Sequence, residues 1–301
     1  MFRNLNEVVA MARQRGPVRI AVAAAQDPDV IEALGAAREM GLAECILVGN
    51  AEKIRLLASQ AKVYIPEEQI VHEPDDVAAA RKAIGFVREG RASLLMKGKI
   101  GTSTLIKQVI DRETGLRGSR YLSQVVVFQT PAMDRLMLLT DAAINILPDL
   151  EKKADICRNA IEVAHALGIA NPNVALLSAL ELVNPHMPST LDAAALTLMN
   201  RRGQIQGAYL EGPIALDVPL SRFAADRKGV ESPLTENTDI LIAPNIEAAN
   251  ILYRAILYFA GAESGGIVMG GRVPLILLSR AETPATKIRS IALAILAAGN
   301  R

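Results

Sequence analysis

Val18-Arg19-Ile20-Ala21-Val22-Ala23-Ala24-Ala25 has the length and apolar character of a buried strand, and Asp27-Pro28 follows it at once. Asp is a favoured helix cap, and Pro fits the first helical position because its missing N–H is unpaired there anyway. The stretch therefore reads as strand, cap, helix, with the helix running toward Gly41. The same unit recurs downstream. Residues 45–48 form a second strand and 52–62 a helix. Residues 69–72 form a third strand, and Asp75 caps a helix over 76–88. Residues 92–96 form a fourth strand, and Thr102 opens a helix reaching about residue 114. Strand–helix alternation of this kind means parallel pairing with right-handed crossovers.

After Gly115 the regularity changes. Two strand-like runs, 122–128 and 135–139, are joined by a short link that suggests an antiparallel hairpin. Alternation then resumes. A helix over 149–167, a strand over 174–178, a helix over 191–202 and a strand over 208–211 follow. Residues 216–229 read as loop with a short helix, 239–243 as a strand and 247–260 as a helix. The glycine-rich stretch 261–271 reads as a last crossing. A final apolar run, 273–278, ends on Ser279-Arg280, and Thr283-Pro284 begins a closing helix. The expected organisation is α/β, with two lobes: residues 1–130 and 272–301 in the first, 131–271 in the second.

The chain has 301 residues, half of them apolar, enough for a large core. Lys plus Arg number 33 and Asp plus Glu 32, which argues against a broad nucleic-acid or anionic-membrane surface. Aromatics are 3% and Trp is absent, so base-stacking platforms are not expected. Cys45 and Cys157 lack metal-site spacing and read as buried free thiols of a reducing compartment. Residues 1–16 pattern as an amphipathic helix rather than a signal peptide. No apolar run reaches the ~18 residues of a membrane span. A cytoplasmic protein is the expectation.

Several familiar fingerprints are missing. No G-x-G-x-x-G follows a strand. Gly85 and Gly90 have phosphate-loop spacing, but Arg91-Ala92 stands where Lys-Ser/Thr is needed. His72, His165 and His186 are too dispersed for a metal site, and no metal is expected. The positive signal is Met96-Lys97-Gly98-Lys99-Ile100-Gly101-Thr102-Ser103-Thr104. It follows a buried strand and opens a helix, whose free N–H groups and dipole favour an anion. Lys97 and Lys99 add charge, Gly98 allows close backbone approach, and Thr102, Ser103 and Thr104 bring hydroxyls. An ordinary strand–turn–helix with Thr or Ser capping is the other reading of the same residues, and phosphate binding is the favoured one. Ser279-Arg280 stands where a strand of an open sheet ends, the edge at which such sheets bind ligands. The planar fork of Arg280 suits phosphate or carboxylate. Gly212-Pro213 with Asp217, and Asn245 with Asn250, follow two strands of the second lobe, although Asn245 also reads as a helix cap. Asp141 and Asn145 either line a cleft or fix a turn.

Taken jointly these pieces resemble the phosphate butyryltransferases over nearly the whole chain. The matching motifs run in order: Leu95-Met96-Lys97-Gly98, Thr102-Ser103-Thr104, Thr140-Asp141-Ala142-Ala143-Ile144-Asn145 and Val183-Asn184-Pro185-His186-Met187-Pro188. Gly203-Gln204-Ile205, Gly212-Pro213-Ile214-Ala215-Leu216-Asp217, Pro244-Asn245-Ile246-Glu247-Ala248 and Ser279-Arg280 complete the set. The wider family includes phosphate acetyltransferases, with a fold like isopropylmalate dehydrogenase. The resemblance implies two α/β/α lobes, an active-site cleft and a homodimer or larger assembly. It implies transfer of a short acyl group, butyryl preferred, between CoA and inorganic phosphate, giving acyl phosphate and free CoA. CoA and acyl-CoA are then substrates, and no cofactor is tightly bound.

In the acetyl branch the residues matching Ser279 and Arg280 serve CoA and the phosphate or acyl phosphate. An aspartate seven residues past that serine takes the thiol proton. Here that position is Thr286, which cannot do so, and Glu282 is the nearest carboxylate in sequence. A thiol of pKa ~8.5 is already a few per cent ionised at neutral pH, so direct attack needs no dedicated base. Lys97, Lys99 or Arg280 suffices to lower that pKa. Three other readings stand beside this one. They are a phosphate acetyltransferase, an NAD- and metal-dependent 2-hydroxyacid dehydrogenase of the same fold, and a non-catalytic CoA or phosphate sensor.

Overall fold

The computed structural model of the chain describes residues 2–277 and 282–299. The chain runs α1 (Leu5–Gln14), β1 (Val18–Ala23), α2 (Pro28–Glu39), β2 (Ala43–Gly49), α3 (Ala51–Ala61), a 3-10 turn (Glu67–Gln69), β3 (Ile70–His72), α4 (Asp76–Arg88), β4 (Leu94–Lys97) and α5 (Thr102–Val109). It continues through β5 (Ser123–Gln129), β6 (Met137–Thr140), α6 (Leu150–Ala166), β7 (Asn173–Leu177), α7 (Pro188–Arg201), β8 (Tyr209–Ile214), α8 (Asp217–Leu220), α9 (Arg222–Lys228), β9 (Ile240–Ile242) and α10 (Ile246–Phe259). It closes with β10 (Glu263–Met269), β11 (Leu275–Ile276) and α11 (Pro284–Ala298). This is the α/β class read from the sequence, with the departures described below. Among the described residues no helix is long and apolar enough to cross a membrane.

Two compact units divide the chain. A central unit comprises Met1–Leu5 and Tyr121–Ser264, and a terminal unit comprises Asn6–Arg120 and Gly265–Arg301. In the terminal unit the strands lie in the order β3-β2-β1-β4-β11-β10. All pairs are parallel except β10 with β11. The chain moves outward from β1 to β2 and β3, then returns across β1 to place β4 on its other side. That reversal makes a switch point between β1 and β4, where open α/β sheets take ligands beyond their carboxyl ends.

Local chemistry explains where the helices start. Asp27, Asn50 and Asp75 each accept a first-turn backbone N–H, of Val30, Lys53 and Ala78. The expected helix 76–88 is α4 itself. The helix from Thr102 is shorter than expected and ends at Val109, not near residue 114. Asp111 Oδ1 accepts the N–H groups of Glu113 and Thr114, at 3.0 and 2.8 Å, and bends the chain into a turn. That local bond competes with helix continuation.

The closing helix α11 is buried on all sides from Thr286 to Ala297. Five large aliphatic side chains, Ile288, Ile291, Leu293, Ile295 and Leu296, are buried there. Each contributes about 1.5–3 kcal/mol as an upper estimate. Their sum rivals the net stability of a domain, so the terminal unit cannot spare this helix. The stretch 261–271, expected as a crossing, holds the strand β10 instead. One of its five glycines has a packing cause, because a Cβ on Gly265 would lie 3.0 Å from the backbone carbon of Arg289 and from Leu293 Cδ1. Close approach of a helix, not a turn, requires glycine there.

The central unit orders its strands β5-β6-β9-β7-β8, with β5 antiparallel to β6 as expected and the others parallel. Alternate residues along each strand share one face. Val126, Phe128, Met137, Leu139, Ala175, Leu177, Leu241 and Ala243 supply the core that Ala249 and Tyr253 of α10 cover. The strand expected over 208–211 runs on to Ile214. Gly212 and Pro213 sit within it, at a register shift of one residue against β7. A Cβ on Gly212 would lie 2.6 Å from Leu176 Cβ, and Pro is tolerated because β8 is the last strand in this order. The polar stretch 216–229 holds two helices rather than one.

Ser290 ties α11 to β10. Its buried hydroxyl donates to the Thr286 carbonyl at 2.9 Å and accepts the Gly266 N–H at 2.9 Å. Ser290→Ala should orphan that N–H and cost about 1–3 kcal/mol. Urea unfolding measures it, and an unchanged midpoint would refute the role given to this hydroxyl.

Candidate active site

The carboxyl edge of the terminal unit is built on backbone contact. The Gly98 N–H donates to the Ala23 carbonyl at 2.8 Å, and the Lys99 N–H donates to the Ala24 carbonyl at 2.7 Å. A Cβ on Gly98 would overlap the Ala24 carbonyl oxygen and lie 2.9 Å from that of Ala23. Glycine is thus the residue that lets the turn after β4 lie against the end of β1. Ala24 holds a left-handed φ of 55°, rare for a residue with a side chain. Lys97 is half-buried, and its Nζ donates to the Gly98 carbonyl at 3.0 Å. Lys99 is exposed.

Helix α5 starts three residues later. Gly101 stands at its N-cap and brings no side-chain acceptor. The N–H groups of Thr102, Ser103 and Thr104 belong to the first turn, which has no intrahelical partners. Thr102 and Ser103 are exposed. An uncapped helix start beside two lysines, at a switch point, is chemically fit to hold an anion.

Gln26 is a residue that sequence reasoning passed over. Its Oε1 accepts the Asn50 N–H at 3.2 Å and its Nε2 donates to Asp76 Oδ1 at 2.9 Å. One buried amide thereby joins the starts of α3 and α4 to the turn after β1. The only signal in the sequence is a polar residue directly after an alanine-rich strand.

Ser279 and Arg280 lie outside the described residues. Their flanks are defined. β11 runs parallel to β4 with Ile276 opposite Met96, so the chain leaves β11 at the edge where Lys97 ends β4. Beyond them, Thr283 caps α11 by accepting the Thr286 N–H at 3.2 Å, and the two threonine hydroxyls are 3.0 Å apart. Thr286 thus belongs to the cap.

In the central unit the parallel strands β6, β9, β7 and β8 end at one edge. Asp141 follows β6, Asn245 follows β9, and Asp217 opens α8 just after β8. The buried Asp141 carboxylate accepts the N–H groups of Gln124, Ala143 and Ile144, each at 3.1 Å, and of Asn145 at 2.9 Å. It also accepts the Asn145 side-chain amide at 2.6 Å. Burial pushes the Asp141 carboxyl above the usual carboxylate range, against those hydrogen bonds. Asn145 Nδ2 reaches the Leu122 carbonyl at 2.7 Å, and Asn250 Nδ2 the Ala142 carbonyl at 3.0 Å. Asn245 caps α10 through the Ala248 N–H at 2.9 Å. The structure therefore brings Asp141, Asn145 and Asn250 into one loop-fixing network. Asp217 is separate from it and pairs with Lys228 at 2.7 Å, which holds its carboxyl below the ordinary value.

Two histidines serve backbone. His165 Nε2 lies 2.8 Å from the Gly207 carbonyl, and His72 Nδ1 accepts the Ala51 N–H at 3.3 Å. His186 is exposed. Among the described residues no three His, Cys, Asp or Glu side chains gather as a metal site would need. Both cysteines are buried free thiols, and burial pushes each up to about 12.

Comparison with known proteins bears on the chain as a whole. The family described as "Phosphate acetyl/butaryl transferase" matches residues 67–295. A phosphate butyryltransferase of Clostridium acetobutylicum is 44% identical over 301 residues, covering all of both chains. A phosphate acetyltransferase of Rhizobium meliloti is 42% identical over 98% of this chain and 94% of its own. The crystal structure of a branched-chain phosphotransacylase from Enterococcus faecalis superposes with a TM-score of 0.81 at 32% identity. That match covers 93% of this chain and 99% of the other.

Because the Gly98 turn has no room for a methyl group, Gly98→Ala should displace it and cost about 1–3 kcal/mol. Phosphate should raise the melting temperature of the native protein and leave that of Gly98→Ala unmoved. An equal rise in both would show that this turn does not shape an anion site.

Proposed function

The chain belongs to the phosphate acetyl/butyryl transferase family, and from that premise we propose that it moves a short acyl group, butyryl in preference to acetyl, between CoA and inorganic phosphate. The products are acyl phosphate and free CoA. The observation that carries the site is the uncapped start of α5, held beside Lys97 and Lys99 at the β1/β4 switch point. In this reading Lys97, Gly98, Thr102, Ser103 and Thr104 hold the phosphate or acyl phosphate. Ser279 and Arg280, which follow β11 in sequence, engage CoA and the phosphoryl group. Both substrates are bound together. In the direction of acyl-CoA synthesis, the thiolate sulfur attacks the carbonyl carbon of the acyl phosphate. The new C–S bond forms as the C–O bond to phosphate breaks, and phosphate leaves with the electron pair. The thiol proton passes to solvent or to the departing phosphate. Cations at the edge stabilise the oxyanion that develops. The central-unit residues Asp141, Asn145, Gly212, Pro213, Asp217, Asn245 and Asn250 line the cleft or shape its loops.

Relatives of both names stand at nearly equal identity, so the preference for C4 rests on Met96-Lys97-Gly98 and on Thr286 in place of an aspartate. CoA and acyl-CoA act as substrates, with no tightly bound cofactor. The free, buried thiols suit a cytoplasmic enzyme. The working form is a homodimer or larger. Helix α10 supports that: Ile251, Tyr258 and Phe259 are exposed on it, Phe259 to 91%. Its charges are Glu247 and Arg254, one of each sign, which a self-complementary two-fold contact can pair.

Purified protein should release CoA from butyryl-CoA only when phosphate is present, faster than from acetyl-CoA. Release independent of phosphate would end the transferase reading. Arg280→Ala should lower kcat/KM at least ~30-fold, since truncating one partner of a desolvated charge pair costs ~2–5 kcal/mol. Thr286→Ala should stay within about tenfold, ~1.4 kcal/mol in the barrier. Equal impairment of the two variants would contradict the roles assigned. In light scattering the protein should have at least twice its chain mass, and Phe259→Lys should reduce it. A monomeric native protein would exclude the assembly.

A further inference from the structure

Lys287 is a cation where burial makes one expensive. It lies in the first turn and a half of α11, 3% exposed, on a helix whose buried residues are apolar or small apart from Lys287 itself and Arg289. Its Nζ reaches Asp29 Oδ1 at 3.3 Å. Asp29 is in the first turn of α2, with its side chain 45% exposed at the carboxyl edge. A lone buried ammonium would be strongly unfavourable, so the bond to Asp29 decides where this end of α11 sits.

The bridge connects to the site through a short path. α2 is separated from β1 only by the turn 24–27. That turn carries the Ala24 carbonyl, which takes the Lys99 N–H at 2.7 Å, while the Ala23 carbonyl at its start takes the Gly98 N–H at 2.8 Å. Asp27 caps α2 from the same turn. The Lys97–Lys99 turn and the start of α2 are therefore mounted on one piece of backbone. Lys287 fastens α11 to that piece. The capping residue of α11, Thr283, comes three residues after Arg280 in the chain.

We propose that Lys287 is a positioning residue for the transfer reaction. Through Asp29 it sets the first turn of α11, which follows Ser279-Arg280, in register with the anion-binding turn after β4. Lys287 itself touches no reacting atom. The inference deepens the proposed function and rests on it for its kinetic consequence.

The test uses the full chain as wild type, Lys287→Met, Asp29→Asn, the double variant, and Lys287→Arg as the conservative replacement. Steady-state kinetics with butyryl-CoA and phosphate are read beside melting temperature and amide exchange of peptides covering residues 283–290. Lys287→Met should lower kcat about tenfold or more and leave KM for butyryl-CoA within about threefold, since misorientation acts on the transition state. Exchange in the first turn of α11 should rise about tenfold. Asp29→Asn should act in the same direction, the double variant should be no worse than Lys287→Met, and Lys287→Arg should recover most of kcat. A fall in melting temperature with kcat unchanged would reduce the bridge to a structural role and overturn the proposal. So would losses that multiply in the double variant. If Lys287→Met does not fold, Asp29→Asn, altered at a half-exposed position, decides by the same two readouts. If the wild type releases no CoA, the proposed function falls instead. The bridge is then judged by exchange alone, and unaltered exchange at 283–290 rejects it.

Discussion

The backbone of the turn after β4 lies directly on the backbone at the end of β1, and the rest of the carboxyl edge is arranged around that contact. Two N–H groups, of Gly98 and Lys99, are satisfied there by the carbonyls of Ala23 and Ala24. Because both strands are parallel and adjacent, the contact falls at the switch point of the sheet. The helix that follows starts just beyond it, with no side-chain cap at Gly101. Ala24 adopts its left-handed backbone at the same place, a local cost concentrated beside the candidate site.

Polar residues at the two carboxyl edges are used differently. In the central unit they are largely consumed by the scaffold. Asp141 accepts four backbone N–H groups and an amide, and Asn145, Asn245 and Asn250 each serve a carbonyl or a helix start. A buried carboxylate so fully bonded shapes a loop and has little left for a ligand. In the terminal unit Thr102 and Ser103 are exposed, and the N-cap Gly101 contributes no side chain. The terminal unit thus keeps exposed polar groups at its carboxyl edge, and in the central unit buried polar networks fix the shape of the loops.

Motif reading recognises both kinds of residue without telling them apart. Thr140-Asp141-Ala142-Ala143-Ile144-Asn145 looks equally like a cleft wall or a turn, because an acceptor-rich side chain serves either. Only the geometry of the donors around it separates the two. Thr286 is a similar case. Its identity rules out a titrating carboxyl, and its place within three residues of Thr283 explains what it does instead, since its N–H and hydroxyl both meet the Thr283 hydroxyl.

The sequence by itself determined the α/β class, the helix starts at Asp27, Asn245 and Thr283, the antiparallel pair β5–β6 and the strand–turn–helix order around Gly98. These are local matters: the period of apolar residues, the capping chemistry of Asp, Asn and Thr, and the fixed φ of proline act within a few residues. Tertiary structure decided that 261–271 holds a strand, that Gly212-Pro213 lies inside β8, and that Gln26 and the Lys287–Asp29 pair hold the edge together. Each of these depends on a neighbour distant in the chain, such as Arg289 over Gly265, Leu176 against Gly212, or Asp29 beside Lys287. Glycine permits close approach as readily as it permits a turn, and a lysine is buried only where a carboxylate from elsewhere meets it, so neither outcome is written in the local sequence.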